Sequence, residues 1–301
     1  MIVAGAVVQG TGHLAAGQGC QDAFKAVDLG DAVVLAVADG AGSRDRSALG
    51  AHIAVDTACR VLTANVPDAS AGPEDWTAWI ATRGAEVVDG YLRAAQAVLS
   101  SSSGGTGAAD RPARDGGDGE RAGGPGVYDA TYRPERAHGP GVCDVGALAA
   151  GVVGVVVRPP WVAFVALGDC FGAVLTRARG EAAERCHLVL PPPDPGGPPP
   201  GFLSSPGARL RMRTFTLWDP ELSGVVLATD GCAPLTLDHP SVRGLPDAVG
   251  PLPSERFFSG LAATLRRNGG DAEPLRALLS GPDAARTGDD LTVLCGLLER
   301  G

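Results

Sequence analysis

Two segments narrow what this chain can fold into more than any others: VLAVADGAGS, residues 35–44, and GVVLATDGCAP, residues 224–234. Each is an apolar run of strand length that stops on an acid followed at once by glycine, Asp39-Gly40 and Asp230-Gly231. A run of Val, Leu and Ala without polar alternation reads as a strand covered on both faces. Core packing sets where such a strand ends, so a carboxylate at its end inherits a defined position. Further acids share this relation to apolar strands. VALGDC ends a run on Asp169, CQDAF brings Asp22 into a strand, and GDDLTVL brings in Asp289 and Asp290.

The remaining pattern places these strands in a larger plan. Short strands are predicted at 2–8, 24–29 and 32–39. A helix over 46–66 carries Leu49, Ile53, Thr57 and Val61 on one stripe, and a second helix opens at Pro73 with Trp76, Trp79, Ile80, Val87, Tyr91 and Val98 at helical spacing. Residues 101–126 are almost wholly Gly, Ser, Ala, Asp and Arg, too little to offset ordering entropy, which predicts a disordered or mobile insertion reaching about residue 142.

Strands resume at 145–157, 161–169 and 171–177, and the turn Arg158-Pro159-Pro160 between the first two suggests an antiparallel meander. PPPDPGGPPPGF, residues 191–202, reads as an irregular surface loop. After strands at 210–217 and 224–230 come two helices, one with Ser254 as cap and Gly269 as stop, the other over 271–280, and then a final strand. Two helix pairs among antiparallel strands predict an α+β fold, a four-layer α-β-β-α sandwich formed as one domain over residues 1–301.

Composition excludes several function classes. The formal net charge is −9 and no Lys/Arg cluster appears, which argues against nucleic acid. No stretch approaches the roughly 18 apolar residues of a membrane span, and the N-terminus lacks a basic leader segment. Seven cysteines, an odd number with no C-x-x-C pair, suit reduced thiols in a cytoplasmic protein. If the strands lie side by side, their ends gather several carboxylates at one rim. That is costly unless cations neutralise them. All-oxygen donors select a hard divalent ion such as Mg2+ or Mn2+, and two such ions roughly 4 Å apart can activate water and clamp a phosphoryl group. Phosphate-ester hydrolysis is the leading chemistry.

In order along the chain, CQDAF, VLAVADGAGS, DVGALAAGVVGVVV, VALGDC, VVLATDG and GDDLTVL resemble the motif series of the metal-dependent serine/threonine protein phosphatases, the PPM or type 2C family, in a bacterial subgroup. The resemblance implies a binuclear Mn2+/Mg2+ centre at one end of two antiparallel sheets. Carried over by motif, Asp39 resembles the acid bridging both ions, with the Gly40 carbonyl as a further ligand. Asp230 and Asp289 match acids completing the first ion's shell, Asp22 serves the second directly or through water, and Asp169 matches an acid that holds a third ion in some members. Asp290 takes the place of the family's Asn, and since successive strand residues point to opposite faces, only one of Asp289 and Asp290 is expected to be a ligand.

The chain departs from the family in two places. Gln21 stands where many members have Glu, and the phosphate-binding Arg usually found a few residues before it is absent from GHLAAGQGCQD. His13 is the nearest cation-capable residue, with a structural role or a role in phosphate contact or leaving-group protonation both open to it. The resemblance implies phosphorylated proteins as partners, with a serine/threonine kinase among them. The two departures motivate a second reading, a phosphatase-like module that binds phosphorylated partners with little turnover.

Overall fold

The long apolar runs become inner strands of two five-stranded antiparallel sheets in the computed structural model, which describes residues 1–103, 144–178, 180, 184–194 and 197–299. One sheet has the order β1 (Ile2–Val8), β12 (Leu291–Leu297), β9 (Leu222–Ala228), β6 (Phe171–Thr176) and β7 (Arg185–Leu190). The other has the order β2 (Asp22–Asp28), β3 (Val33–Gly40), β4 (Ala150–Arg158), β5 (Trp161–Leu167) and β8 (Arg213–Trp218). A small ribbon joins β10 (Leu237–Asp238) to β11 (Leu252–Pro253).

Three buried clusters correspond to the three interfaces of four layers. Val33, Leu35, Val37, Val155 and Phe164 of the second sheet meet Val174, Val225, Leu227 and Leu294 of the first between the sheets. On the outer face of the second sheet, Val34, Ala36, Val156 and Ala163 pack against helices α2 (Ser47–Leu62) and α3 (Pro73–Ser103). There the rings of Trp76 and Trp161 stack with centroids 5.6 Å apart. The outer face of the first sheet is covered by α6 (Glu255–Arg267) and α7 (Glu273–Leu279) through Phe258, Leu261, Leu265, Leu275 and Leu279. Strand residues pointing to opposite faces are thus buried on both, which is why β3, β4, β5, β9 and β12 read as continuous apolar runs. The α-β-β-α sandwich is the expected one.

Two expectations need correcting. The stretch 145–177 is not one meander: β4 and β5 form a hairpin in one sheet, whereas β6 lies in the other. The chain passes between sheets at residues 168–170, where Gly168 has φ 112°, a conformation L side chains rarely adopt. Strand β7 was not expected, because its half-exposed edge position gives RCHLVL a mixed pattern without a continuous apolar run. The predicted disordered insertion lies, beyond Ser103, outside the described residues. Among the described residues, no helix is long and apolar enough to cross a membrane.

One buried ion network ties the first sheet to its covering helix. The Glu184 carboxylate lies 2.8 Å from Arg177 Nη2 and accepts from Arg266 Nη1 at 2.7 Å and Ser223 Oγ at 2.6 Å. Arg266 also donates to the Ser223 carbonyl at 2.9 Å, so α6, β9 and the β6–β7 edge share one charge centre.

Candidate active site

Asp39 is the penultimate residue of β3, directly opposite Asp22 on β2 and Gly151 on β4. The next residue has no room for a side chain, since a Cβ on Gly40 would lie 2.6 Å from the Ser47 carbonyl where α2 begins. Its amide donates to the Gln21 carbonyl at 3.1 Å, fixing the strand end against CQD. Asp169 sits in the crossover between sheets, and Asp230 opens the turn after β9 with its Oδ1 accepting from the Gly231 amide at 2.9 Å. Each of Asp39, Asp169 and Asp230 offers one carboxylate oxygen, and these three atoms lie within 4.8 Å of one another.

Electrostatics mark the same cluster. Burial above all, then the charges of Asp22, Asp230, Asp169 and Asp289, push the Asp39 carboxyl well above the ordinary carboxylate range. Asp230 is raised to about 6 by burial and then by Asp169 and Asp289. Asp169 is raised by burial and Asp289, and its Oδ1 is buried without a hydrogen-bond partner. Mutually destabilised carboxylates with an orphaned oxygen, and no nitrogen or sulfur among the donors, fit a hard divalent cation.

The remaining predicted residues divide. Asp289 lies close enough to bear on the charge of Asp39, Asp169 and Asp230, and its side chain is 47% exposed, whereas that of Asp290 is 1% exposed. Asp22 is buried and held from across the sheets, accepting from Thr229 Oγ1 at 2.7 Å; burial raises its carboxyl to about 7. It stands beside the three-acid group rather than within it. Gln21 is buried too, and its Oε1 accepts from Ser47 Oγ at 2.9 Å.

Asp290 is the residue whose role sequence reasoning missed. Its two oxygens accept from the backbone amides of Gly10 at 2.7 Å and Gln21 at 2.6 Å. His13 Nδ1 lies 2.9 Å from Asp290 Oδ2 but outside hydrogen-bonding geometry, while Nε2 lies 3.9 Å from Asp289 Oδ1. One buried carboxylate therefore ties GTGH and CQD to the start of the last strand. The two segments touch closely, since a Cβ on Gly10 would lie 2.4 Å from the Asp289 carbonyl carbon, a contact between residues too far apart in the chain for a local pattern to record.

The raised carboxyls give a pH prediction. Protons and cations compete for the same oxygens below about 6 for Asp230 and about 7 for Asp22. Mn2+ affinity is expected to strengthen by about tenfold or more as pH rises through that window, with proton release on binding. The sign for stability is opposite in the metal-free chain. Carboxyls raised above their unfolded values favour the fold at low pH, and this contribution is lost as pH rises through about 6 to 7. Calorimetry in buffers of different ionisation enthalpy checks the first statement, and metal-free melting from pH 5 to 8 checks the second. A pH-independent affinity contradicts both.

A four-layer sandwich with an all-oxygen acid cluster at the rim of its sheets defines the class of metal-dependent protein phosphatases. The chain belongs to the protein phosphatase 2C family, which it matches over residues 9–280. No curated protein matches its sequence. Among solved structures it is similar to a bacterial serine phosphatase, with TM-score 0.54, 12% identity and coverage of 100% of this chain and 99% of the other. A serine/threonine phosphatase from Staphylococcus aureus gives TM-score 0.50 at 11% identity, covering 100% and 96%. Serine-threonine phosphatase 2C from Toxoplasma gondii gives 0.50 at 14%, covering 98% and 94%. At such identities these likenesses speak to the fold, which agrees with the one the motif series implied.

Proposed function

We propose that this phosphatase removes phosphate from phosphoserine and phosphothreonine in proteins, using two Mn2+ or Mg2+ ions held by Asp39, the Gly40 carbonyl, Asp230 and Asp289, with Asp22 supporting the second ion and Asp169 available to a third. The convergence of Asp39, Asp169 and Asp230 oxygens within 4.8 Å carries this reading. Bound ions of this kind lower the pKa of a coordinated water and offset charge on phosphoryl oxygens.

The chain's own residues supply position and a proton. Packing of β3 and β9 holds Asp39 and Asp230 on opposing sheets, so the cluster is preorganised by the core. His13 packs beside Asp290, with Nδ1 2.9 Å from Oδ2, and is the side chain that can pass a proton to the leaving alkoxide. Gln21, engaged by Ser47, adds no charge, so the second ion depends on Asp22, Asp39 and Gly40. Proteins phosphorylated by a serine/threonine kinase are the partner class. A cytoplasmic setting fits the six free cysteines among the described residues.

Purified chain is expected to hydrolyse p-nitrophenyl phosphate and a phosphothreonine peptide with Mn2+ or Mg2+, and to lose both activities in EDTA. Phosphopeptide binding without turnover at saturating Mn2+ would instead establish a binding module.

A further inference from the structure

Beside the acid cluster lies a cavity of about 390 Å3 whose wall includes Leu167 and Gly168, the two residues before Asp169. Its other walls are prolines, among them Pro191 and Pro200, together with Gly201, Arg211 and Arg213. Proline has no amide hydrogen and glycine no side chain, so the two guanidinium groups dominate the polar recognition this cavity can offer. Among the described residues, no carboxylate lines it.

Both arginines are placed by structure near the site. Arg213 begins β8 and pairs across the ladder with Ala166, three residues before Asp169. Arg211 ends the short helix α4 (Ala208–Arg211), its Nη1 and Cδ packed over Gly201, where an added Cβ would lie 3.2 Å from each. The neighbouring Arg209 is occupied by Asp89, but neither Arg211 nor Arg213 makes a side-chain hydrogen bond or ion pair among the described residues. Arg213 is exposed at the start of its strand, and partial desolvation lowers the pKa of its guanidinium. The chain as a whole is acidic, with net charge −9, so two arginines facing one cavity without a partner among the described residues stand apart from their surroundings.

Resting on the phosphatase reading, we propose that Arg211 and Arg213 form a specificity subsite that takes an acidic side chain adjacent to the phosphorylated residue of a protein substrate. A peptide seated with its phosphate at the acid cluster has neighbouring side chains within reach of a cavity that begins at Gly168. Guanidinium groups match carboxylates through paired N–H donors held in a planar fork, and two of them on one cavity wall can engage one carboxylate together. The subsite also offers cationic recognition in a chain that lacks the arginine expected before Gln21.

Fluorescence anisotropy on the full chain with Mn2+ tests this at low salt with two labelled peptides that a phosphonate in place of the phosphate ester protects from hydrolysis. Each contains one phosphonate analogue of phosphothreonine, flanked by glutamates in one and by alanines in the other. The glutamate peptide is expected to bind about tenfold more tightly, the scale of one charge-assisted hydrogen bond. Adding Arg211→Gln and Arg213→Gln together should bring the ratio close to one, while Arg211→Lys with Arg213→Lys keeps most of it. Equal affinity for the two peptides in the parent, or a preference that survives the double Gln substitution, overturns the proposal. Glutamine keeps each stem, and a thermal melt of each variant confirms that the fold is intact. Failure of the unsubstituted chain to hydrolyse p-nitrophenyl phosphate with Mn2+ would strike the phosphatase reading, while the anisotropy ratio still decides the subsite.

Discussion

Asp39→Asn should lower metal-dependent turnover by about 10^3-fold, roughly 4 kcal/mol of transition-state stabilisation, while raising the melting temperature of the metal-free chain. The two effects share one cause. Asp39 is the buried acid on which the charges of Asp22, Asp169, Asp230 and Asp289 all bear. Removing its charge takes away a donor central to cation binding, and also removes the repulsion that the metal-free fold must otherwise carry. Asparagine keeps the side-chain shape and one oxygen, so packing at the end of β3 is preserved. Because the Asp39 carboxyl is raised by burial, the stability gain should grow as pH rises above the ordinary carboxylate range. Steady-state assays with p-nitrophenyl phosphate over a Mn2+ titration, paired with metal-free melts at pH 5 and pH 8, check both halves. Retained turnover, or a metal-free melting temperature several degrees below the parent, would contradict the assignment of Asp39.

The second large effect lies away from the site. Glu184→Ala is expected to cost about 3–5 kcal/mol of folding stability, because it leaves Arg177 and Arg266 mostly buried without their counter-charge. Ser223 Oγ loses its acceptor in the same step. Since the network joins α6 to β9 and to the β6–β7 edge, its loss should loosen the outer helix layer of the first sheet before the layer of α2 and α3. Urea unfolding gives the magnitude, and amide exchange compared between Phe258–Leu265 and Trp76–Val87 gives the location. Glu184→Gln, which retains acceptor and shape, should cost less. A loss under about 1 kcal/mol would mean that water replaces the carboxylate at little cost.

Much of the fold was legible in the sequence because strands buried on both faces are continuous apolar runs, and β3, β4, β5, β9 and β12 are of that kind. Strand β7 was not, because an edge strand half open to solvent lacks this signature. The sheet to which β6 belongs was not legible either. A short crossover at Gly168 and a hairpin turn look alike when only the flanking apolar residues are read, although one changes sheets and the other does not. The unpaired state of Arg211 and Arg213 was hidden for a similar reason, since pairing depends on neighbours distant in the chain.

The sequence by itself determined which acids are available, their order, their attachment to buried strand ends and, through that order, the family. Tertiary structure alone decided that Asp39, Asp169 and Asp230 converge, that Asp22 turns to Thr229, and that Asp289 opens toward solvent while Asp290 is buried against Gly10, Gln21 and His13. The physical reason is range. Burial of a strand is written in a few consecutive residues, whereas the meeting of its end with another requires two sheets to pack face to face through long-range contacts that no local pattern records.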